Sequence, residues 1–177
     1  MDIEQKILLE RAKLTARRNT GPGNSLTPGK ENTLLIVEFL LAPERYAIKS
    51  SFVSEVLSLK EITAIPGAPL FVMGVINLRG KIVSIVNLKK LFNLKEKGLT
   101  ELNKVILLEH GNMEFGIVAD AIAGNKLMEL NDLSPPPPTL SGTGAEFISG
   151  VSPDGLILLN AESLLTSNLL RVNQKGK

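Results

Sequence analysis

The stretch GVINLRGKIVSIVNLKKLF, residues 74–92, carries the signs of two paired strands and the turn between them. Val75, Ile76 and Leu78 precede the turn, and Ile82, Val83, Ile85 and Val86 follow it, a density of β-branched side chains that favours strands. Gly80 stands where the chain must reverse, and a turn that needs positive φ suits a residue without Cβ. Asn87 then precedes Leu88, Leu91 and Phe92, which share one helix face, and asparagine is a favoured N-cap. The segment reads as strand, turn, strand and short helix, with Arg79 on the turn. An arginine so placed is ordinarily a solvated side chain.

Working outward, the same order of blocks occurs twice from residue 33 onward. Residues 34–38 with Tyr46, Ala47 and Ile48 parallel residues 105–109 with Phe115, Gly116 and Ile117, and residues 53–56 parallel residues 119–122. Residues 74–91 parallel residues 150–164, each with a leading glycine, a turn glycine (Gly80, Gly155), an aliphatic strand and an asparagine (Asn87, Asn160) before a leucine-bearing helical turn. Such blocks, separated by short turns, predict an all-β fold with short helices, built as two related small barrels. Residues 135–138 are four prolines, which cannot donate ladder hydrogen bonds; a stiff loop is expected there rather than a recruitment site for an SH3-type partner. Residues 2–18 contain no Gly or Pro and are expected as a helix with Asp2 as N-cap. Ile3, Ile7 and Leu14 share a stripe while Leu8, Leu9 and Ala12 point elsewhere, which leaves open a solvated extension or a docking helix. Residues 19–32, NTGPGNSLTPGKEN, have the composition of a flexible linker.

Composition narrows the function. The 177 residues suffice for one compact domain or two small ones sharing an interface, and 44% hydrophobic residues are ample for a core. The chain has no cysteine, which excludes disulfides, thiolate metal sites and thiol nucleophiles. The net charge of +2 is matched by the six basic and four acidic side chains of residues 1–32, so the body is neutral. With 4% aromatic residues and no Trp, neither counterion release nor base stacking is provided for, and nucleic acid is not an expected partner. No apolar run approaches the roughly 20 residues that span a bilayer, and the start MDIEQKILLERAK is too acidic for a secretory signal, so a cytoplasmic protein without membrane insertion is expected.

Catalytic chemistry has little to stand on. His110 is the one histidine, placed in LEHGN where a hairpin tip is expected, with no second histidine or cysteine to share a metal. The glycine patterns that cradle phosphates are absent, and GTGAE at residues 142–146 follows the proline loop rather than a strand. Glu55 and Asp120 lie at apolar runs and two carboxylates can serve as acid and base, but their spacing in sequence says nothing of their distance, and polar residues at strand ends usually satisfy loops or bind partners. No enzyme, cofactor or metal site is expected.

The NLRG turn between two such strands resembles the signature of the CheW family, the small adaptors that join chemoreceptors to the histidine kinase of bacterial chemotaxis. The resemblance extends from about residue 33 to residue 165, through VEFLLAPERYAIKSSFVSEV, VILLEHGNMEFGIVADAI and FISGVSPDGLILLNAESLL. It implies two intertwined SH3-like five-stranded barrels over residues 33–170, with residues 1–32 as an extension and 171–177 as a tail. It implies a non-catalytic coupling function, with a chemoreceptor cytoplasmic tip and the regulatory domain of the kinase CheA as partners, in arrays at the inner face of the cytoplasmic membrane. The NLRG arginine and the V-x-E-[IV] segment fall on Arg79 and on Val53, Glu55 and Val56, which the resemblance places in the receptor groove. There Val53 and Val56 would give apolar contact, Arg79 charge-assisted hydrogen bonds, and Glu55 either orientation of Arg79 or a bond to a receptor donor. Val118 and Asp120 are further members by the same resemblance, while Gly74 and Gly80 would preserve backbone geometry. The pattern departs from the family at Ser84 and Asn87, where proline and aspartate are usual. A CheW-like scaffold of a non-chemotactic receptor pathway, and a barrel-type nucleic-acid binder, are the alternatives.

Overall fold

The computed structural model describes residues 32–59, 61–96, 98, 102–138 and 144–167. The expected helix of residues 2–18, the linker up to residue 31 and the tail of residues 171–177 lie outside the described residues. The strands are β1 (Thr33–Leu41), β2 (Glu44–Lys49), β3 (Val53–Ser58), β4 (Val72–Leu78), β5 (Lys81–Val86), β6 (Lys104–His110), β7 (Met113–Ala119), β8 (Ala121–Glu129), β9 (Ile148–Val151) and β10 (Ile157–Leu159). Helix α1 (Leu88–Leu91) follows β5 and α2 (Ala161–Thr166) follows β10. Asn87 caps α1 by accepting from the amides of Lys89 and Lys90, and Asn160 caps α2 by accepting from that of Ser163, as asparagine at these places predicts.

Two five-stranded sheets form, in the orders β8-β1-β2-β10-β9 and β3-β6-β7-β5-β4. Exchanging each strand for the one five places away converts one order into the other, so the repeat legible in the sequence is a repeat in space. The copies interleave: the β1–β2 hairpin pairs with β8 and β10, and the β6–β7 hairpin with β3 and β5. Each sheet then closes on itself. Thr63, after β3, exchanges two backbone hydrogen bonds of 2.9 and 2.8 Å with Val75 on β4; Ser134, after β8, exchanges two of 2.9 Å with Val151 on β9. Closure satisfies edge groups that would otherwise invite pairing with another chain.

Strand periodicity explains the heavy apolar content. Ile36 packs with Ala47, Leu156 and Leu158 inside the first barrel, whereas Val37 and Phe39 face a larger core with Ile106, Leu108 and Phe115 of the other sheet. Strands buried on both faces have no polar side, so their sequences run continuously apolar. Helix α2 adds Leu164 and Leu165 to the shared core, which is what holds the barrels together.

The structure shifts part of the repeat. Hairpin ends (Leu41 with Glu44, His110 with Met113) and bulges at matching points of β1–β8 and β3–β6 align Val53 with Ile122 and Glu55 with Gly124. Residues 53–56 therefore correspond to 122–125 rather than 119–122, and residues 34–38 to 103–107 rather than 105–109. For residues 34–38 the displacement is two, which leaves every side chain on its face, so apolar pattern alone does not distinguish those registers; for residues 53–56 it is three, because the bulges in β3 and β8 offset the pairing.

Candidate functional site

Arg79 and Gly80 form the two-residue loop of the β4–β5 hairpin, between paired Leu78 and Lys81. Both take positive φ, 53° for Arg79 and 85° for Gly80, and the Asn77 Oδ1 accepts the Gly80 amide at 2.9 Å. A loop with both residues left-handed matches the twist of its strands, but it favours Asn-Gly, and an arginine there costs about 1 kcal/mol. Turn stability therefore does not account for arginine at this position.

Its guanidinium grips a carboxylate. Arg79 Nη2 donates to Glu55 Oε1 at 2.6 Å and Nη1 to Oε2 at 3.2 Å, the bidentate fork that arginine alone provides. The Arg79 side chain is 73% exposed and that of Glu55 20%. A pair so wet adds at most about 1 kcal/mol to stability, so its geometry matters more than its strength. At the same end of the sheet Lys81 on β5 pairs with Glu114 on β7; that carboxylate, with help from Glu109, raises the lysine's pKa. Ile82 (58% exposed) pairs with exposed Asn77 across the hairpin, leaving an apolar side chain in water near the ion pairs.

Not all the expected site residues join this cluster. Val53 and Val56, expected to give apolar contact to a partner, are 4% and 6% exposed and pack into the shared core. Strand alternation explains this: with the bulge between Val53 and Glu55, both valines face inward and Glu55 points away from them. Val118 is likewise core, 6% exposed, beside Leu107 and Ile85. Asp120 lies beyond the opposite end of β7, six residues or roughly 20 Å from Glu114, and is not part of the Arg79 cluster. Its carboxylate accepts from the Ala42 amide at 2.8 Å and from Asn103 Nδ2 at 3.3 Å, and pairs with Lys89 Nζ at 2.6 Å. Asp120 thus ties the β1–β2 turn of one sheet to α1, which follows the other. With Val118, Asn87, Glu96 and Asn103 this pair lines a small cleft. Gly74 lies within β4, where the Thr63 carbonyl oxygen is 2.2 Å from the place a Cβ would take, and Gly80 takes φ 85° in the turn.

The other barrel has charges at the matching turn. In the β9–β10 turn Asp154 binds Arg45 on β2, through its carboxylate at 3.1 Å and its carbonyl at 2.7 Å. Arg45 also meets Glu38 on β1 at 3.1 Å, and Lys126 on β8 reaches Glu38 at 3.5 Å and Asp154 at 4.0 Å. The Ser152 hydroxyl and then Arg45 hold the Asp154 carboxyl down at about 2. A carboxyl whose pKa is lowered by folding adds stability above its unfolded value near 4 and loses it as pH falls toward 2. The stability difference between wild type and Asp154→Asn, followed by urea midpoints, is expected to be full at pH 5 and to shrink steadily below pH 4. A difference independent of pH would show that the turn gains nothing from ionised Asp154.

Residues 35–169 match the model of the CheW-like domain. The chain is 35% identical over 143 residues to the chemotaxis protein CheW of Treponema pallidum, covering 77% of this chain and 84% of that protein. It is 33% identical over 132 residues to CheW of Klebsiella aerogenes, covering 73% and 80%. Its fold is similar to the crystal structure of the scaffolding protein TtCheW from Thermoanaerobacter tengcongensis, with a TM-score of 0.67 and 33% identity over 76% of this chain and 94% of that one. With two interleaved five-stranded sheets and the NLRG hairpin in place, the chain belongs to the CheW family of chemotaxis scaffold proteins.

Proposed function

We propose that this protein is a non-catalytic adaptor that couples a chemoreceptor cytoplasmic tip to the regulatory domain of the histidine kinase CheA, in arrays at the inner face of the cytoplasmic membrane. The observation that carries the reading is the Arg79–Glu55 fork, held on a loop where arginine is conformationally unfavourable and where it adds little stability. Backbone strain retained at an exposed recognition group is the signature of a functional site. Of the two roles open to it, Glu55 takes the orienting one: its bidentate grip fixes the guanidinium plane. Apolar contact comes from exposed Ile82 in place of the buried Val53 and Val56. Among the described residues no helix is long and apolar enough to cross a membrane, so array attachment would come through partners. The mechanism is assembly: two partners held together at high effective concentration bias each other's conformations.

Pull-down with a receptor cytoplasmic fragment and with a kinase regulatory domain tests this. Arg79→Ala is expected to weaken receptor binding about 30-fold, the equivalent of about 2 kcal/mol at an interface hot spot, with kinase binding retained. Equal retention of both would remove Arg79 from the receptor site. Failure of the wild type to bind either would overturn the adaptor reading.

A further inference from the structure

The barrel that contains β1 and β8 leaves leucines in water at one end of that strand pair. Leu127 on β8 is 54% exposed and Leu130, just past the strand, 38%, while Leu35, directly opposite Leu127 on β1, is half-buried. A single exposed leucine needs no explanation, but two paired leucines with a third beside them form a patch. The repeat shows that the fold does not require it. The counterparts of Leu35 and Leu127 in the other barrel are Lys104 and Ser58, paired across β6 and β3, where the Lys104 ammonium donates to the Ser58 hydroxyl at 3.0 Å. One barrel fills this place with a hydrogen bond, the other with apolar side chains.

The chain before residue 32 departs from this same end. The Asn32 carbonyl accepts the Leu130 amide at 2.8 Å, and the Asn32 side chain donates to Asn131 Oδ1 at 3.2 Å. Residues 19–31, rich in Gly, Pro and small polar groups, give a root-mean-square reach of about 20 Å from that point. Before them, residues 2–18 read in the sequence as a helix with the stripe Ile3, Ile7 and Leu14. Arg11, four residues past Ile7, and Arg18, four past Leu14, border the stripe, and residues 11–18 hold Arg11, Lys13, Arg17 and Arg18 with no acid among them. The patch has acids at its border: Glu129, exposed on the same face of β8 as Leu127, and Asp132, exposed in the turn that follows. Lys126 belongs to the opposite face, where it meets Glu38. A short apolar stripe thus matches a short apolar patch, with opposite charges at their edges.

We infer that the patch of Leu35, Leu127 and Leu130 is an intramolecular docking site for residues 2–18, whose stripe covers the leucines and whose basic half faces Glu129 and Asp132. A tether of this reach gives an effective concentration that is roughly millimolar, so a contact too weak to form between separate chains is populated within one. A helix of this length is marginal alone in water and gains its stability from the face it buries. Any other protein that reaches for these leucines must first displace the extension.

Amide hydrogen exchange of the full chain at micromolar concentration tests the inference. The amides of residues 2–18 are expected to exchange at least tenfold more slowly in wild type than in Leu35→Lys with Leu127→Ser, the pair that the other barrel carries at this place. Because that pair is hydrogen-bonded in its own barrel, the variant is expected to fold, which thermal melting checks. Ile7→Asp, on the extension, leaves the sequence of both barrels intact and is expected to lose the same protection. Glu129→Lys with Asp132→Lys should lose about threefold, and no loss there overturns the placing of the basic half. Leu70→Asp, at a leucine 84% exposed elsewhere, should lose none. Equal protection in wild type and the folded Leu35→Lys, Leu127→Ser protein overturns the inference, as does an equal loss in Leu70→Asp, or a wild type whose residues 2–18 exchange at the rate of an unstructured chain. Protection that rises with protein concentration over a tenfold range shows docking onto a second copy, and overturns the intramolecular site.

Discussion

Asp120→Ala is expected to destabilise the protein by about 3 kcal/mol, lowering the urea midpoint by roughly 1.5 M. The Lys89 side chain is 9% exposed, and its ammonium sits 2.6 Å from Asp120. Removing the carboxylate leaves a nearly buried cation without its counter-charge, which costs more than the pair itself contributes. The Ala42 amide and Asn103 lose an acceptor at the same time. Asp120→Asn, which keeps an oxygen for the amide, is expected to be milder, and Lys89→Met milder still, because Asp120 retains its two other partners. Because Asp120 lies at the far end of β7 from Arg79, receptor binding by the remaining folded protein should be unchanged. Stability within 0.5 kcal/mol of wild type for Asp120→Ala would show that the link between the β1–β2 turn and α1 is not a structural one.

Gly74→Ala is expected to cost about 4 kcal/mol. A Cβ at this position would stand 2.2 Å from the Thr63 carbonyl oxygen, 2.7 Å from its carbon and 2.8 Å from Ile62 Cγ2, with φ at 145°. Two of these atoms are backbone and cannot rotate away. Relief would require the Thr63 strand to move, breaking both hydrogen bonds to Val75 that close the barrel. The sum of backbone strain and two lost hydrogen bonds gives the expected size. Gly111→Ala is the control: φ is also positive, 59°, but nothing lies within 4 Å of the added carbon, so about 1 kcal/mol is expected. Equal urea midpoints for the two variants would mean that close approach to Thr63 is not what glycine serves at position 74. The repeat supports the argument, since Gly150, the match of Gly74, has the Ser134 carbonyl oxygen 2.9 Å from where its Cβ would be, at the other closing bridge.

Much of the candidate site was visible in the chain because it depends on local rules. Turn glycines, asparagine caps and β-branched runs act over a few residues, and each of Gly80, Gly155, Asn87 and Asn160 does what its chemistry requires. Arg79 and Glu55 each stand in a legible local pattern, yet their union across 24 residues depends on closure of the barrel. Arg79's own positive φ had no signal, since arginine is rarely found in that conformation. That Val53 and Val56 pack into the core is not legible in the sequence, because a strand hydrophobe looks the same whether it faces a partner or a core. The ion pairs of Lys89, Lys81, Glu114, Arg45 and Lys126 leave no trace in the sequence: a charged residue beside a turn carries no mark of the strand it will meet.

By itself, then, the sequence determined the class of element at each place, the duplication, the caps and the turn that bears Arg79. These follow from side-chain shape and from two-residue and 3.6-residue periods, which are short-range properties. Only the tertiary structure decided how the copies interleave, which valines are inside, that Asp120 joins the two sheets, and which strands supply the charges that meet Arg79 and Asp154. Those depend on register and closure, set by bulges and by bridges between segments far apart in the chain, and a shift of two residues leaves the apolar pattern unchanged while moving every ionic contact.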